Sequence, residues 1–181
     1  DEKRQHASLF QNVGAELNRI ELIGDGGITA VANARLSEIE TARLLAEAEA
    51  DFRHSIENAY HAGMNYLERN IGDRFNPDTL LAGCRSVVVL TYNYLTDQEQ
   101  KSDKYRTARY TWIQDYHILV KNLLVQLAEK MIGCYPSLQY RMTVDSSAIS
   151  EKRWAVEAGV GSMGKNGLIH NRNGSFFVIG I

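Results

Sequence analysis

The segment that most constrains the fold is residues 86–92, in which four apolar residues, Val87 to Leu90, follow one another without a polar break. A half-exposed strand would show alternating apolar and polar residues. A continuous run rich in β-branched residues is instead typical of a central strand that is covered on both faces. The chain therefore has to supply apolar helices for two sides of one sheet.

Two segments have the spacing for that role, since apolar residues recur every three or four positions in residues 35–61 and 115–132. The pattern predicts two amphipathic helices that pack on the sheet. Gly133 stands where a C-terminal helix glycine belongs. Asn76 followed by Pro77 is typical of the start of a short helix.

Weaker patterns complete the expected order of elements. Helices are expected at residues 5–18 and 149–158, strands at residues 28–32 and 140–144, and a hairpin at residues 168–181 that turns through residues 171–174. We predict one α/β (α+β) domain over residues 1–181, with a mixed central sheet flanked by helices.

Composition excludes several classes of function. The net charge of -2 gives no general attraction to nucleic acid, so an RNA contact would need a local basic patch or a part outside this sequence. Cys84 and Cys134 are the only cysteines and lack CxxC spacing, which predicts neither a disulfide framework nor a thiolate metal cluster. The scattered histidines predict no metal site. No apolar run could cross a bilayer, so we expect a cytoplasmic protein without membrane contact.

The chain stops within an apolar run, residues 176–181, and has no polar tail. We therefore expect a truncated chain or one product of a split gene.

Residues 159–166 match GxGxxG and come within one residue of the phosphate-loop pattern, with Asn166 in place of Ser or Thr. Both motifs need a strand in front. Here a predicted helix precedes, and Gly159 is expected to end it. We therefore favour a tight turn or a close approach of the backbone to something large and flat over a nucleotide site, although Lys165 could meet an anionic group.

Seven stretches together resemble the epoxyqueuosine reductase family from about residue 60 onward. They are Met64-Asn65-Tyr66-Leu67-Glu68-Arg69, Arg74 with Pro77, residues 86–94, Ala108-Arg109-Tyr110 with Trp112 and Asp115-Tyr116-His117, Val144-Asp145-Ser146 leading into Glu151, residues 158–166, and Gly174-Ser175-Phe176-Phe177.

The resemblance implies a nitroreductase-like, cobalamin-binding domain. It also implies cobalamin-dependent reduction of epoxyqueuosine to queuosine in tRNA, the last step of queuosine biosynthesis. The family continues into a ferredoxin-like domain with [4Fe-4S] clusters. Those clusters are expected here only from a missing domain or a partner that donates electrons.

The same resemblance assigns Asp145 as the proton donor. An exposed aspartate, with a pKa near 3.9, is a poor donor at neutral pH, so burial against the corrin would have to raise its pKa. The residues alone allow equally that Asp145 caps the helix at residues 149–158. A functional carboxylate that is also desolvated would favour the acid.

The resemblance also implies eight residues that contact cobalamin. They are Arg74, Ala108, Arg109, Asp145, Lys165, Asn166, Ile169 and Ser175. Arg and Lys suit the phosphate of cobalamin, and Asn and backbone groups suit its amide arms. As alternatives, Arg74 is a solvated charge at a helix start and Ile169 is a core residue. For His117 we favour a hydrogen-bonded structural histidine over a cobalt ligand.

Two other functions remain open at the level of sequence. One is a non-catalytic cobalamin-binding module or one half of a two-chain reductase, and the other is a flavin-dependent reductase on a related scaffold.

Overall fold

The computed structural model describes residues 27–35, 39–95, 97, 99 and 105–181. The helices are α1 (Ile39–Glu57), α2 (Tyr116–Cys134) and α3 (Glu151–Glu157), and the strands are β1 (Gly27–Arg35), β2 (Ser86–Asn93), β3 (Ser162–Met163), β4 (Ile169–His170) and β5 (Phe177–Gly180). Short 3-10 helices occur at Asn65–Glu68, Gly72–Arg74, Pro77–Thr79 and Arg109–Trp112. No helix in these ranges combines the length and the apolar character needed to cross a bilayer.

Strand β2 is the centre of a three-stranded sheet with the order β1-β2-β5. It pairs antiparallel with both neighbours, so that Val89 lies opposite Ala32 and Leu90 lies opposite Gly180. The α/β class is therefore confirmed, but the expectation of a mixed sheet is wrong for this sheet. Whether two paired strands run parallel or antiparallel depends on the path of the chain that connects them. The local spacing of apolar residues carries no information about this path.

The two faces of β2 contact different cores, as predicted. Val87 and Val89 belong to a cluster with Leu45 of α1 and Trp154 of α3. Leu90 and Tyr92 belong to a second cluster built on α2, whose buried residues are Val120, Leu123, Leu124, Leu127 and Ala128. Each face of the strand is therefore covered by at least one helix, and the apolar run is buried on both sides.

The predicted helices are confirmed with shorter or longer bounds. Residues 58–61 lie outside α1, and the expected helix at residues 5–18 lies outside the described residues. The short helix behind Asn76 is present, and the Asn76 side chain accepts a hydrogen bond from the Asp78 N–H. The assignment of Gly133 as the terminal glycine is wrong, because α2 continues to Cys134 and the Tyr135 N–H bonds the Met131 carbonyl.

Two strand predictions need correction. Residues 28–32 lie within β1 as expected, but residues 140–144 form no strand. Thr143 nevertheless exchanges two main-chain hydrogen bonds with Ile181, at 2.8 and 3.0 Å. Residues 171–174 make the predicted turn, yet its arms do not pair with each other over their length, because β4 pairs with β3 and β5 pairs with β2.

Candidate active site

Asp145 lies in the loop between the segment that pairs with Ile181 and helix α3. Thr143 and Val144, just before it, are buried, whereas the Asp145 side chain is 51% exposed. Its backbone has a φ of 52°, in the left-handed region that a residue with a side chain seldom adopts. The fold therefore presents one carboxylate to solvent on a loop that is anchored on both sides.

Tyr116 is the first residue of α2 and holds the Asp145 side chain. Its hydroxyl donates to Asp145 Oδ2 at 2.5 Å. Burial of the ring, and then the bond to Asp145, raise the pKa of Tyr116, so the hydroxyl stays protonated and keeps donating. The start of α2 is itself fixed by Asp115, whose side chain accepts from the His117 N–H at 2.9 Å.

Glu151 is the first residue of α3 and holds the Asp145 backbone. Its Oε1 accepts the Asp145 N–H at 2.8 Å. Burial first, and contact with the Asp145 carboxyl second, raise the pKa of Glu151 to about 8. The loop therefore places an exposed carboxyl beside a half-buried carboxyl that keeps its proton.

His117 stacks on the Tyr116 ring, with centroids 4.1 Å apart and an interplanar angle of 25°. Its Nδ1 lies 2.8 Å from Asp115 Oδ1, and its Nε2 lies 3.9 Å from Asp145 Oδ2. The hydrogen bonding expected of this histidine is present. The imidazole is 49% exposed and points its second nitrogen at the candidate acid.

Aromatic rings connect this centre to another predicted contact region. Tyr116, Tyr110, Tyr94 and Phe176 form an aromatic strip in which successive rings meet edge-on at 6.1 to 6.3 Å. Tyr110 and Phe176 remain 44% and 40% exposed. The strip therefore offers an apolar surface next to Asp145.

Arg109 adds a cation to the strip. Its guanidinium lies over the rings of Trp112 and Phe176, at 5.6 and 5.9 Å from their centroids. Ala108 precedes it as the N-cap of the 3-10 helix, and half-buried Ser175 precedes Phe176. The structure thus brings Asp145, Arg109, Ala108 and Ser175 into one connected region.

Arg74 contacts the loop from the other side. Its guanidinium donates to the Ala148 carbonyl at 3.3 Å and lies over the Phe52 ring, while its own carbonyl accepts the Ser150 N–H at 2.9 Å. Arg74 is half-buried, so the alternative of a solvated charge at a helix start is wrong. It fixes the chain between Asp145 and α3.

Lys165 and Asn166 lie on the exposed turn of the β3-β4 hairpin. Asn166 Oδ1 accepts from the Leu168 N–H and lies 3.1 Å from His170 Nε2. Ile169 is 3% exposed and belongs to the core, which was the alternative to a cobalamin contact for this residue. Only its main chain could therefore meet a ligand. None of the described hydrogen bonds or ion pairs joins this hairpin to Asp145.

The glycine motif has the structure of a turn. Gly159, with φ 76°, follows α3, and the N–H groups of Gly159 and Val160 bond the carbonyls of Val156 and Ala155, the pattern of a Schellman motif. At Gly161 a Cβ would overlap the His170 carbonyl across the hairpin. A helix before the motif and a hairpin after it leave no helix start at which a phosphate could bind.

The alternative that Asp145 caps α3 is wrong. Among the described hydrogen bonds, its carboxylate accepts from Tyr116 and not from an N–H of α3. The relation is the reverse, because Glu151 of α3 accepts from the Asp145 backbone.

Sequence reasoning missed the roles of Tyr116 and Glu151. The available signal was a glutamate six residues beyond the candidate acid, at the first position of a helix. A cavity of about 640 Å³ near Ser86, Leu127 and Ile181 is lined by none of the predicted contact residues, so the candidate site lies elsewhere.

A family model described as "Epoxyqueuosine reductase QueG, DUF1730" matches residues 74–146. The epoxyqueuosine reductase of Cyclobacterium marinum is 32% identical over 144 residues, which are 78% of this chain and 46% of that protein. The chain thus spans about half the length of this relative. The structure of the epoxyqueuosine reductase from Streptococcus thermophilus matches with a TM-score of 0.74 and 23% identity, over 96% of this chain and 44% of that one.

A crystal structure of epoxyqueuosine reductase with an epoxyqueuosine-modified tRNA stem loop has the same fold, with a TM-score of 0.69 and 19% identity, over 98% of this chain and 44% of that one. These structures share the fold of this chain. The matched segment, which contains both Arg74 and Asp145, and the similarity to the relative from Cyclobacterium marinum show that the chain belongs to the epoxyqueuosine reductase family.

Proposed function

We propose that this chain is the cobalamin-binding, proton-donating part of an enzyme that reduces epoxyqueuosine in tRNA to queuosine. The observation that carries the proposal is Asp145, an exposed carboxyl on a fixed loop between Tyr116 and Glu151. Family membership supports the reaction, and the related structure with a modified tRNA stem loop supports the substrate.

The residues beside Asp145 fit cobalamin by their chemistry. The exposed rings of Tyr110 and Phe176 suit an apolar macrocycle, and Arg109 adds a cation at the end of the strip. Arg74 Nε and Ser147 Oγ are buried without a hydrogen-bond partner in the described structure, as expected where a ligand completes the bonding.

The remaining predicted contacts are assigned by the same chemistry. Lys165 would meet the phosphate and Asn166 the amide arms, while Ala108, Ile169 and Ser175 would contribute backbone or hydroxyl contacts. When bound, cobalamin would supply a low-valent cobalt centre as the reductant.

The chain's own part in the reaction is proton delivery. Charge develops on the epoxide oxygen when its C–O bond breaks, and Asp145 would donate a proton to that oxygen. A positioned acid of this kind accelerates such a step by roughly 10²–10⁴-fold.

Electrons would come from outside this sequence. A [4Fe-4S] cluster takes four cysteine thiolates, and the sequence has two cysteines. We therefore propose that an iron–sulfur domain or partner reduces the cobalamin, in the cytoplasm, where the tRNA substrate would be met.

The test is Asp145→Asn in a reductase reconstituted with an electron donor. Asn has nearly the same shape and can still accept from Tyr116, but it cannot deliver a proton. We expect cobalamin binding to persist and turnover to fall by roughly 10²–10⁴-fold. Asp51→Asn, an exposed change on α1, is the control. Near-normal turnover by Asp145→Asn would contradict the role of Asp145 as the acid. Cobalamin binding without turnover in the unsubstituted protein would leave a non-catalytic cobalamin module as the function.

A further inference from the structure

Asp145 is held at two points by two different elements. Tyr116 of α2 donates to its carboxylate, and Glu151 of α3 accepts from its backbone N–H. The left-handed φ of 52° at Asp145 is a conformation that a residue with a side chain keeps only where its surroundings impose it. Glu151 therefore sets the direction in which the Asp145 carboxyl leaves the loop.

The two carboxyl groups are neighbours, since Glu151 Oε1 accepts the Asp145 N–H at 2.8 Å, and a neighbouring pair of carboxyls avoids a second negative charge. The Asp145 side chain is half exposed, whereas Glu151 is partly buried, and burial disfavours the charged form of Glu151. The pKa of Glu151 is raised to about 8, first by burial and then by Asp145. At neutral pH Glu151 accordingly keeps its proton.

We propose that Glu151 is a positioning residue for the reduction proposed above, which fixes Asp145 by its backbone and shares one proton with its carboxyl. The inference rests on the proposed function. As Asp145 gives a proton to the substrate oxygen, Glu151 passes its proton to Asp145 and recovers one from water. One proton moves at each step and no electron is involved, so the exchange balances.

The groups around the pair favour this arrangement. Tyr116 and Asp145 are the titratable groups facing Glu151, and His117 lies 3.9 Å from Asp145. Within the part of the chain that the structure describes, no Lys or Arg forms an ion pair with Glu151. Arg74 contacts the same loop by donating to the Ala148 carbonyl and by accepting the Ser150 N–H at its own carbonyl, and neither bond involves a carboxylate.

The first measurement needs neither cobalamin nor substrate. The side-chain carboxyl carbons of the protein are labelled with ¹³C at glutamate and followed by NMR from pH 4 to 10, with Glu151→Gln used to assign the signal. Glu151 should titrate near 8 and move toward its ordinary value in Asp145→Asn, which removes the neighbouring negative charge. A midpoint near 4.5 in the unsubstituted protein would overturn the proposal.

The second measurement is the pH profile of turnover in the reconstituted reductase. Glu151→Gln keeps an oxygen for the Asp145 N–H and an N–H for its carboxylate, but has no proton to share. Cobalamin affinity and KM should stay within about twofold, whereas kcat at neutral pH should fall at least about tenfold and the alkaline limb should shift to lower pH. Glu129→Gln, an exposed change on α2, should leave the profile unchanged.

The outcomes separate the two proposals. Normal kcat and an unchanged profile for Glu151→Gln would overturn the positioning role while the reductase function stands. A protein in which the pair titrates as expected but which does not reduce epoxyqueuosine with a complete electron supply would overturn the function, and with it the role of Glu151 in that reaction.

Discussion

At the scale of single residues, the proposed acid and the carboxyl that keeps its proton are different side chains. The Asp145 side chain is half exposed, whereas burial raises the pKa of its neighbour Glu151. The group that donates the proton to the substrate and the group that holds it beforehand can thus be different residues. The exposed carboxyl of Asp145 can reach a large substrate, and the raised pKa of Glu151 keeps that residue protonated at neutral pH.

The same pKa shift makes folding stability depend on pH. Glu151 has an ordinary pKa of 4.5 in the unfolded chain and a pKa of about 8 in the folded protein, so the folded state binds more protons between these values. We expect the free energy of unfolding to fall as pH rises from about 5 to 8, by at most about 1.4 kcal/mol per pH unit from this group.

Glu151→Gln should flatten that decline, because Gln does not titrate. Thermal melts of the two proteins at pH 5, 6, 7 and 8 measure the difference, which cancels the contributions of all other groups. Parallel curves across this range would show that Glu151 has an ordinary pKa in the folded protein.

The residue-level site could be predicted only in part. The resemblance to the family named Asp145 and Arg74 as candidate residues, but it did not predict the contacts of Arg74 with Ala148 and Ser150. The bond from Tyr116 spans 29 positions in the sequence, so no local spacing encodes it. The contact of Glu151 with Asp145 depends on the left-handed backbone of Asp145, and a residue other than glycine gives no sequence signal for that conformation.

At the scale of elements, the sequence predicted those helices and strands whose apolar side chains are buried in a core. The apolar run of β2 and the helical stripe of α2 both followed from spacing, since each has to cover a core. The prediction of a strand at residues 140–144 was wrong because alternation is a weak signal over five residues. The pairing of Thr143 with Ile181 is too short to form a strand. The prediction of a hairpin at residues 168–181 was wrong because its two arms, β4 and β5, pair with strands of two different sheets.

Two glycines give a test of the packing of α2. At Gly180 an added Cβ would lie 2.5 Å from Val120 Cγ1 and 3.0 Å from Leu124 Cδ1, both in the core beneath α2. Gly180→Ala should therefore destabilise the protein by about 1–3 kcal/mol, since branched, buried side chains cannot easily move aside.

Gly133→Ala is the matched control. Gly133 lies within α2, and nothing is within 4 Å of an added Cβ. Ala there should stabilise by about 0.5–1 kcal/mol through its helix propensity. Chemical denaturation measures both changes. A loss of stability in Gly133→Ala would restore the interpretation of Gly133 as a helix-terminating glycine.

At the scale of the whole molecule, the candidate site is assembled at the Asn93 end of the central strand. The Tyr94 N–H bonds the Phe176 carbonyl just beyond β2, and the start of α2 and the Asp145 loop connect to this point through the aromatic strip. Segments from residues 94, 109–117, 145–151 and 175–176 therefore meet although they are distant in sequence. Antiparallel pairing of β2 and β5 brings the start of β5 to this end.

All the proposed cobalamin contacts lie within this chain, so the proposed function predicts that the chain takes up cobalamin by itself. We expect titration with cob(II)alamin to change its absorption spectrum and raise its melting temperature. Lys165→Ala should weaken uptake by roughly two- to tenfold, and less at high salt, because Lys165 is exposed and its charge is partly screened. The protein itself should keep its stability, since no described contact of the Lys165 side chain would be lost.

Arg74→Ala should weaken uptake and also lower the melting temperature, because it removes the hydrogen bond to Ala148 and the contact with Phe52. Arg53→Ala removes an equal charge from the surface of α1, where Arg53 pairs with Glu49, and should leave uptake unchanged. Reduced uptake by Lys165→Ala without a change in stability would separate a ligand contact from a structural one. Equal uptake by all four proteins would place the corrin away from these cations, and no spectral change in any of them would remove cobalamin binding from the isolated chain.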